Sequence, residues 1–331
     1  MSKVCIAGAG SWGLALALVL EKNGHEVTVW SALPEEIRLL KEEHENKRCL
    51  PGVIIPQTIR LTDKLDEAVA DKDVIVMAVA SPYTRATAAK LAPYIKDGQI
   101  IVDVAKGIEE KSLHTLSQVI KDELPTAQVA VLSGPTHAEE VSRFIPTTCV
   151  IGAEAEETAC FLQNLFMNEN FRIYTSSDVL GIELGGSLKN VIALAAGIAD
   201  GLGYGDNTKA ALITRGIHEI SRLGVAMGGR LQTFYGLTGM GDLIVTCASM
   251  HSRNRRAGIL MGQGKSMQEA MDEVQMVVEG VYSAKAALIL AKKYNISMPI
   301  TEKINEILFE GKNAKDAVRE LMLRDRNVEY E

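Results

Sequence analysis

Residues 4–13 read Val4-Cys5-Ile6-Ala7-Gly8-Ala9-Gly10-Ser11-Trp12-Gly13: an apolar run, then GxGxxG, at the head of a stretch of helical composition over residues 12–22. Each glycine answers a separate need. Gly8 permits the tight turn, Gly10 lets backbone approach a pyrophosphate, and Gly13 allows helix and strand to pack closely. The helix N-terminus behind them offers N–H donors and the positive end of a dipole. Gly24 stands where a helix C-terminal cap belongs, and residues 27–30 form a second strand candidate. Alone, GxGxxG is an ordinary glycine turn. Between a strand and a helix it points to dinucleotide binding by Gly8, Gly10, Ser11, Trp12 and Gly13.

The alternation continues outward from this unit. Residues 74–80, 100–105, 129–132, 147–151 and 171–174 read as strands; residues 84–94, 112–123 and 156–167 read as helices. Buried apolar strands separated by helices of this length predict an α/β fold with a doubly wound, parallel, Rossmann-type sheet. After about Ser177 the strand signals stop. Residues 184–199 carry one charge, Lys189, and helical stretches follow near residues 209–223, 266–273, 283–293 and 300–309. The expected organisation is a dinucleotide-binding domain over residues 1–177 and an all-helical substrate domain over residues 178–331. No Pro- or Ser-rich linker separates them, which suits a site built between the two.

The 331 residues include 35 Lys plus Arg against 42 Asp plus Glu, a net charge of −7, with 47% hydrophobic positions. That length suits two domains, and the apolar fraction excludes a disordered chain. The acidic balance provides no global field for nucleic acid or anionic lipid, so any anionic ligand needs locally placed cations. No apolar run approaches the roughly 18–20 residues that span a bilayer, and no membrane span is expected. The five cysteines are dispersed without CxxC spacing, and the six histidines form no HExxH pair. This pattern predicts reduced thiols, no metal and a cytoplasmic location.

Two lysines stand where charge is expensive. Lys106 directly follows the strand at residues 100–105, at the carboxyl edge where open sheets bind ligands. Lys189 lies inside an apolar helix, where an ammonium must snorkel, find partners or lose its proton. The densest cationic cluster is Ser252-Arg253-Asn254-Arg255-Arg256, suited to phosphate or to a solvated helix start. Asp242, between glycines, either orients a lysine or caps a helix. Gly134-Pro135-Thr136-His137 ends another strand and faces the same crevice or forms a plain turn. The second strand ends Ser31-Ala32-Leu33, with neither the acid that bonds an NAD ribose nor an Arg for a 2′-phosphate. Glu35, Arg38 and Lys41 read as a solvated helix face. The choice between NAD and NADP stays open.

Taken in order, these blocks resemble the bacterial NAD(P)-dependent glycerol-3-phosphate dehydrogenases over essentially the whole length. The resemblance rests on the glycine loop, Ala105-Lys106-Gly107-Ile108-Glu109 and Leu132-Ser133-Gly134-Pro135-Thr136. It rests further on Gly185-Gly186-Ser187-Leu188-Lys189-Asn190-Val191, Gly236-Leu237-Thr238-Gly239-Met240-Gly241-Asp242-Leu243 and Ser252-Arg253-Asn254-Arg255. It implies reduction of dihydroxyacetone phosphate to sn-glycerol 3-phosphate, feeding phospholipid synthesis, with Lys189 as acid–base and Lys106 and Asp242 beside it. It implies that Lys106, Gly134, Thr136, Lys189, Asp242, Ser252, Arg253 and Asn254 hold the substrate. Ser11, Trp12, Lys106, Ala138, Arg253 and Glu279 would contact the cofactor, with Asn190 and Thr246 as further polar positions of the site. Thr136 replaces the usual Ser, Ser187 a small apolar residue, and Ser31-Ala32-Leu33 the frequent basic residues. The last departure predicts reduced discrimination between NADH and NADPH. The apolar helical half suits a homodimer. The competing readings are a ketopantoate or 3-hydroxyacid reductase, against which the Ser252–Arg256 cluster speaks, and a non-catalytic nucleotide sensor, against which Lys106, Lys189 and Asp242 speak.

Overall fold

A computed structural model describes residues 1–326, 328 and 329. Eight strands form one sheet: β1 (Lys3–Ala7), β2 (Glu26–Trp30), β3 (Arg60–Thr62), β4 (Val74–Met77), β5 (Ile100–Asp103), β6 (Gln128–Ser133), β7 (Thr147–Ala153) and β8 (Phe171–Ser176). Their order is β3-β2-β1-β4-β5-β6-β7-β8. The first six run parallel. The β6–β7 pair is antiparallel, and β8 runs parallel to β7. The wholly parallel expectation is therefore corrected at one edge. The connection between β6 and β7 holds only a one-turn helix, Ala138–Val141. Such a turn rises about 6 Å, far short of the strand it would have to recross. The chain instead re-enters the sheet in the opposite direction.

Strand order reverses between β1 and β4, the topological switch point at which such sheets bind ligands. The first helix, Ser11–Lys22, packs there with residues 13–20 all buried. It ends as expected: Gly24 has φ +79° and its N–H bonds the Glu21 carbonyl at 2.9 Å. Other boundaries moved. The stretch at residues 112–123 becomes helical only from Leu116, where Thr115 and Gln118 form a capping box. The helix Pro34–Glu43 carries Glu35, Arg38 and Lys41 as a solvated face, whereas the helix Ala314–Met322 and the three-residue β3 were not anticipated.

Beyond Ser176 the structure is helical. Its axis is the core helix Val179–Gly201, in which residues 181–199 are all buried. Asp178 caps it, accepting the Gly181 N–H at 3.0 Å. With mean hydropathy 1.4, this helix is long and apolar enough to cross a membrane, yet 89% of its apolar window is covered by the protein itself. The cover comes from the surrounding helices, above all Asp206–Ala226, Arg253–Gly262 and Glu279–Lys293.

Glycines set the closest of these contacts. A Cβ at Gly197 would lie 2.2 Å from the Arg255 carbonyl oxygen, and one at Gly258 would lie 2.4 Å from that of Leu194. The helix carrying Arg253 thus rides directly on the helix carrying Lys189. Gly258→Ala is expected to cost about 1–3 kcal/mol, the usual overpacking range, measured as a shift in denaturant midpoint at constant slope.

Candidate active site

The carboxyl edge of the sheet and the core helix enclose a cavity of about 700 Å³. The glycine loop forms one wall. Gly8 has φ +133°, its N–H bonds the Trp30 carbonyl at 2.8 Å, and a Cβ there would lie 2.5 Å from the Ala78 oxygen. A Cβ at Gly13 would lie 2.1 Å from the Gly8 oxygen, so these two glycines serve packing. Gly10 is different. It lines the cavity, and a Cβ there would meet no protein atom within 4 Å. The space beside it is open to the cavity, and no side chain caps the helix behind it. The loop fits a pyrophosphate held by backbone N–H groups. Ser11, Trp12, Ala138 and Glu279 line the same cavity.

The opposite wall is a buried charge cluster centred on Asp242, the first residue of the helix Asp242–Ala248. Lys189 Nζ donates to Asp242 Oδ1 at 2.7 Å and to Thr246 Oγ1 at 2.6 Å. Lys106 Nζ donates to Asp242 Oδ2 at 2.6 Å, to the Gly134 carbonyl at 2.8 Å and to Thr136 Oγ1 at 3.3 Å. Asp242 therefore accepts from two lysines at once. Among the described residues the Lys106 ammonium makes three hydrogen bonds and that of Lys189 two. Lys189 also lines the cavity. Burial lowers the Lys189 pKa to about 8, helped by Lys106 and opposed by Asp242. Burial disfavours the Asp242 carboxylate, but the two lysines outweigh it and hold the group below its usual range.

The cationic cluster divides. Arg253 and Arg256 line the cavity. Arg255 turns away, pairing with Asp200 at 2.7 Å and donating to the Ala248 carbonyl at 2.8 Å. Ser252 lines the cavity and caps the helix, its Oγ accepting the Arg255 N–H at 3.2 Å. Asn254 lines the cavity too, but its amide is engaged structurally. It donates to Asn190 Oδ1 at 2.9 Å and accepts the Gly280 N–H at 2.8 Å. Asn190 in turn donates to the Lys106 carbonyl at 3.2 Å. Glu279 accepts the Ser81 N–H at 3.0 Å and the Ser81 hydroxyl, tying the helical half to the loop after β4. Its burial raises its pKa.

Sequence reading did not single out Ser81, Arg48 or the His137–His251 ring pair, whose centroids lie 5.8 Å apart. Arg48 donates to the Gln275 carbonyl at 3.0 Å, joining the two halves at the cavity wall. An isolated Arg in a polar loop carries no signal of that role.

A cavity between a glycine-loop sheet and a lysine-bearing helical bundle is that of the two-domain nicotinamide-linked dehydrogenases. More narrowly, the chain belongs to the NAD-dependent glycerol-3-phosphate dehydrogenase family. Models of that family's N-terminus and C-terminus match residues 3–159 and 178–319. A protein of Agathobacter rectalis named glycerol-3-phosphate dehydrogenase, NAD(P)+, is 63% identical over 330 residues, covering 100% of this chain and 98% of the relative. One of the same name from Fusobacterium nucleatum is 61% identical over 333 residues, covering 100% and 99%. The crystal structure of the Coxiella burnetii glycerol-3-phosphate dehydrogenase superposes with a TM-score of 0.94 at 36% identity, covering 98% of this chain and 99% of that one.

Proposed function

We propose that this chain interconverts dihydroxyacetone phosphate and sn-glycerol 3-phosphate, with Lys189 giving and taking the proton at the substrate oxygen. The observation that carries this reading is the buried Lys189 ammonium at the cavity wall, held there by Asp242 and Thr246. The nicotinamide cofactor, when bound, supplies or accepts the hydride. Everything else falls to the protein. Lys189 donates a hydrogen bond to the carbonyl oxygen, and a pKa near 8 makes its proton transferable at neutral pH. Lys106 adds a second positive charge in a partly buried wall, stabilising negative charge that develops on that oxygen. Asp242 keeps both ammonium groups in place.

Arg253, with Ser252 and Arg256 near it, supplies the local cations that an acidic chain needs for a phosphate. All five cysteines are free, as reduced thiols in the cytoplasm would be. The product is the phosphorylated glycerol backbone that phospholipid synthesis consumes.

The test follows NADH and NADPH oxidation with dihydroxyacetone phosphate, dihydroxyacetone and ketopantoate as alternative substrates. Turnover is expected with dihydroxyacetone phosphate. Oxidation with ketopantoate but not with dihydroxyacetone phosphate would sink the assignment. Arg253→Ala is expected to raise KM for the phosphorylated substrate about 10–100-fold, the worth of one charge-assisted phosphate contact, and to leave dihydroxyacetone reduction little changed. An equal loss with both substrates would remove Arg253 from the phosphate site.

A further inference from the structure

We infer that Glu36 sets the choice between the two nicotinamide dinucleotides, favouring the one without a 2′-phosphate. The inference deepens the dehydrogenase reading above and rests on it. At the end of β2, Ser31-Ala32-Leu33 carries no acid, but the fold brings one there from the first turn of the helix Pro34–Glu43. Trp30 ends β2 directly against the glycine loop, through the Gly8 N–H bond to its carbonyl at 2.8 Å. Ser31 follows, buried, and its hydroxyl donates to Glu36 Oε2 at 2.5 Å. Asn46 completes the frame: its amide donates to Glu36 Oε1 at 3.3 Å and to the Ala9 carbonyl at 3.2 Å. The carboxylate is thereby held between the end of β2 and the glycine loop. In a dinucleotide-binding sheet this is where the adenosine ribose passes and where an acidic side chain accepts its 2′-hydroxyl. A 2′-phosphate would instead meet a like charge.

The neighbouring cations are directed elsewhere. Arg38 is paired with Glu35 and Glu42, both at 2.6 Å. Lys47 pairs with Glu43 at 3.1 Å, and Arg48 reaches the Gln275 carbonyl at 3.0 Å. Among the described residues Glu36 has no ion-pair partner, and its carboxylate stands between the end of β2 and the glycine loop.

Two readouts test this on the full-length protein. One is calorimetric titration with NAD+ and NADP+; the other is kcat/KM for NADH and NADPH with dihydroxyacetone phosphate. The native protein should favour the cofactor lacking the 2′-phosphate by about tenfold or more in both, the scale of one partly solvated like-charge contact. E36Q should bring the ratio about tenfold closer to unity, and E36R should tip it toward the phosphorylated cofactor. A general loss of structure would weaken both nucleotides together, so the ratio isolates the charge. Native affinities that are equal, or tighter for NADP+, would overturn the inference, as would an unchanged ratio in both variants. The comparable use of both cofactors expected from Ser31-Ala32-Leu33 alone is thus an overturning result. Should both nucleotides bind and dihydroxyacetone phosphate not turn over, the substrate assignment fails and the titrations still decide the role of Glu36.

Discussion

Lys189→Ala should lower kcat by about 10²–10⁴-fold, the contribution of a positioned acid–base group, while leaving cofactor affinity nearly intact. The lysine is bonded to Asp242 and Thr246 and not to the glycine loop, so its loss should separate chemistry from cofactor binding. Lys189→Arg should not rescue. A guanidinium keeps its proton at any working pH and is too broad for a pocket that holds one ammonium between Asp242 and Thr246. In the native protein, carbonyl reduction needs the protonated amine and should decline as pH rises through about 8, whereas alcohol oxidation needs the neutral amine and should rise through the same range. An unchanged rate in the alanine variant would refute the catalytic role.

Asp242→Asn is expected to be a strongly disruptive isosteric change, costing roughly 3–5 kcal/mol because one buried and one partly buried ammonium group lose their shared counter-charge. Chemical denaturation measures this directly. The pH profile provides a second reading with a definite sign. Asp242 raises the Lys189 pKa and Lys106 lowers it. Asp242→Asn must therefore move the kinetic limb to lower pH, and Lys106→Met must move it to higher pH. Shifts in the same direction would contradict the electrostatic account. Stability should follow linkage as well. The folded Lys189 loses its proton at about 8, below the unfolded value near 10.4. Between those values the unfolded chain holds more protons, so this group makes stability rise with pH, and its burial cost is fully present below about 8. Asp242 gives a slope of the same sign in the acid range, through a stabilisation and not a cost. Its carboxyl is held below the usual range, so its stabilisation is present above about pH 4 and is lost in more acidic solution.

What could be read from residue order was whatever is local in the chain. The glycine loop was legible because strand, turn and helix are contiguous, and Lys189 because one charge interrupts a long apolar helix. The partner of Lys189 was not legible. Asp242 lies 53 residues from Lys189 and 136 from Lys106, so only the folded chain brings the three together. The reversal of β7 escaped for another reason: strand composition carries no direction, and only the brevity of the Ala138–Val141 turn betrays it. Arg253 and Arg255 looked equivalent, since a helix start does not reveal which side chain faces a cavity and which meets Asp200. Glu36 carried no such signal, because it meets Ser31 and Asn46 only in the folded chain.

The core helix has one more consequence, for the order in which the protein is made. The segment Val179–Gly201 leaves the ribosome well before the helices that cover it, the last of its principal neighbours being Glu279–Lys293 and Pro299–Phe309. The preceding strands and Asp206–Ala226 give this apolar rod early partners, but Arg253–Gly262 and Glu279–Lys293 exist only once most of the remaining chain has been made. During that interval part of its apolar surface stays uncovered, which is an aggregation hazard for a nascent chain. A helix that makes the finished catalyst rigid is thus left partly exposed while the catalyst is being built.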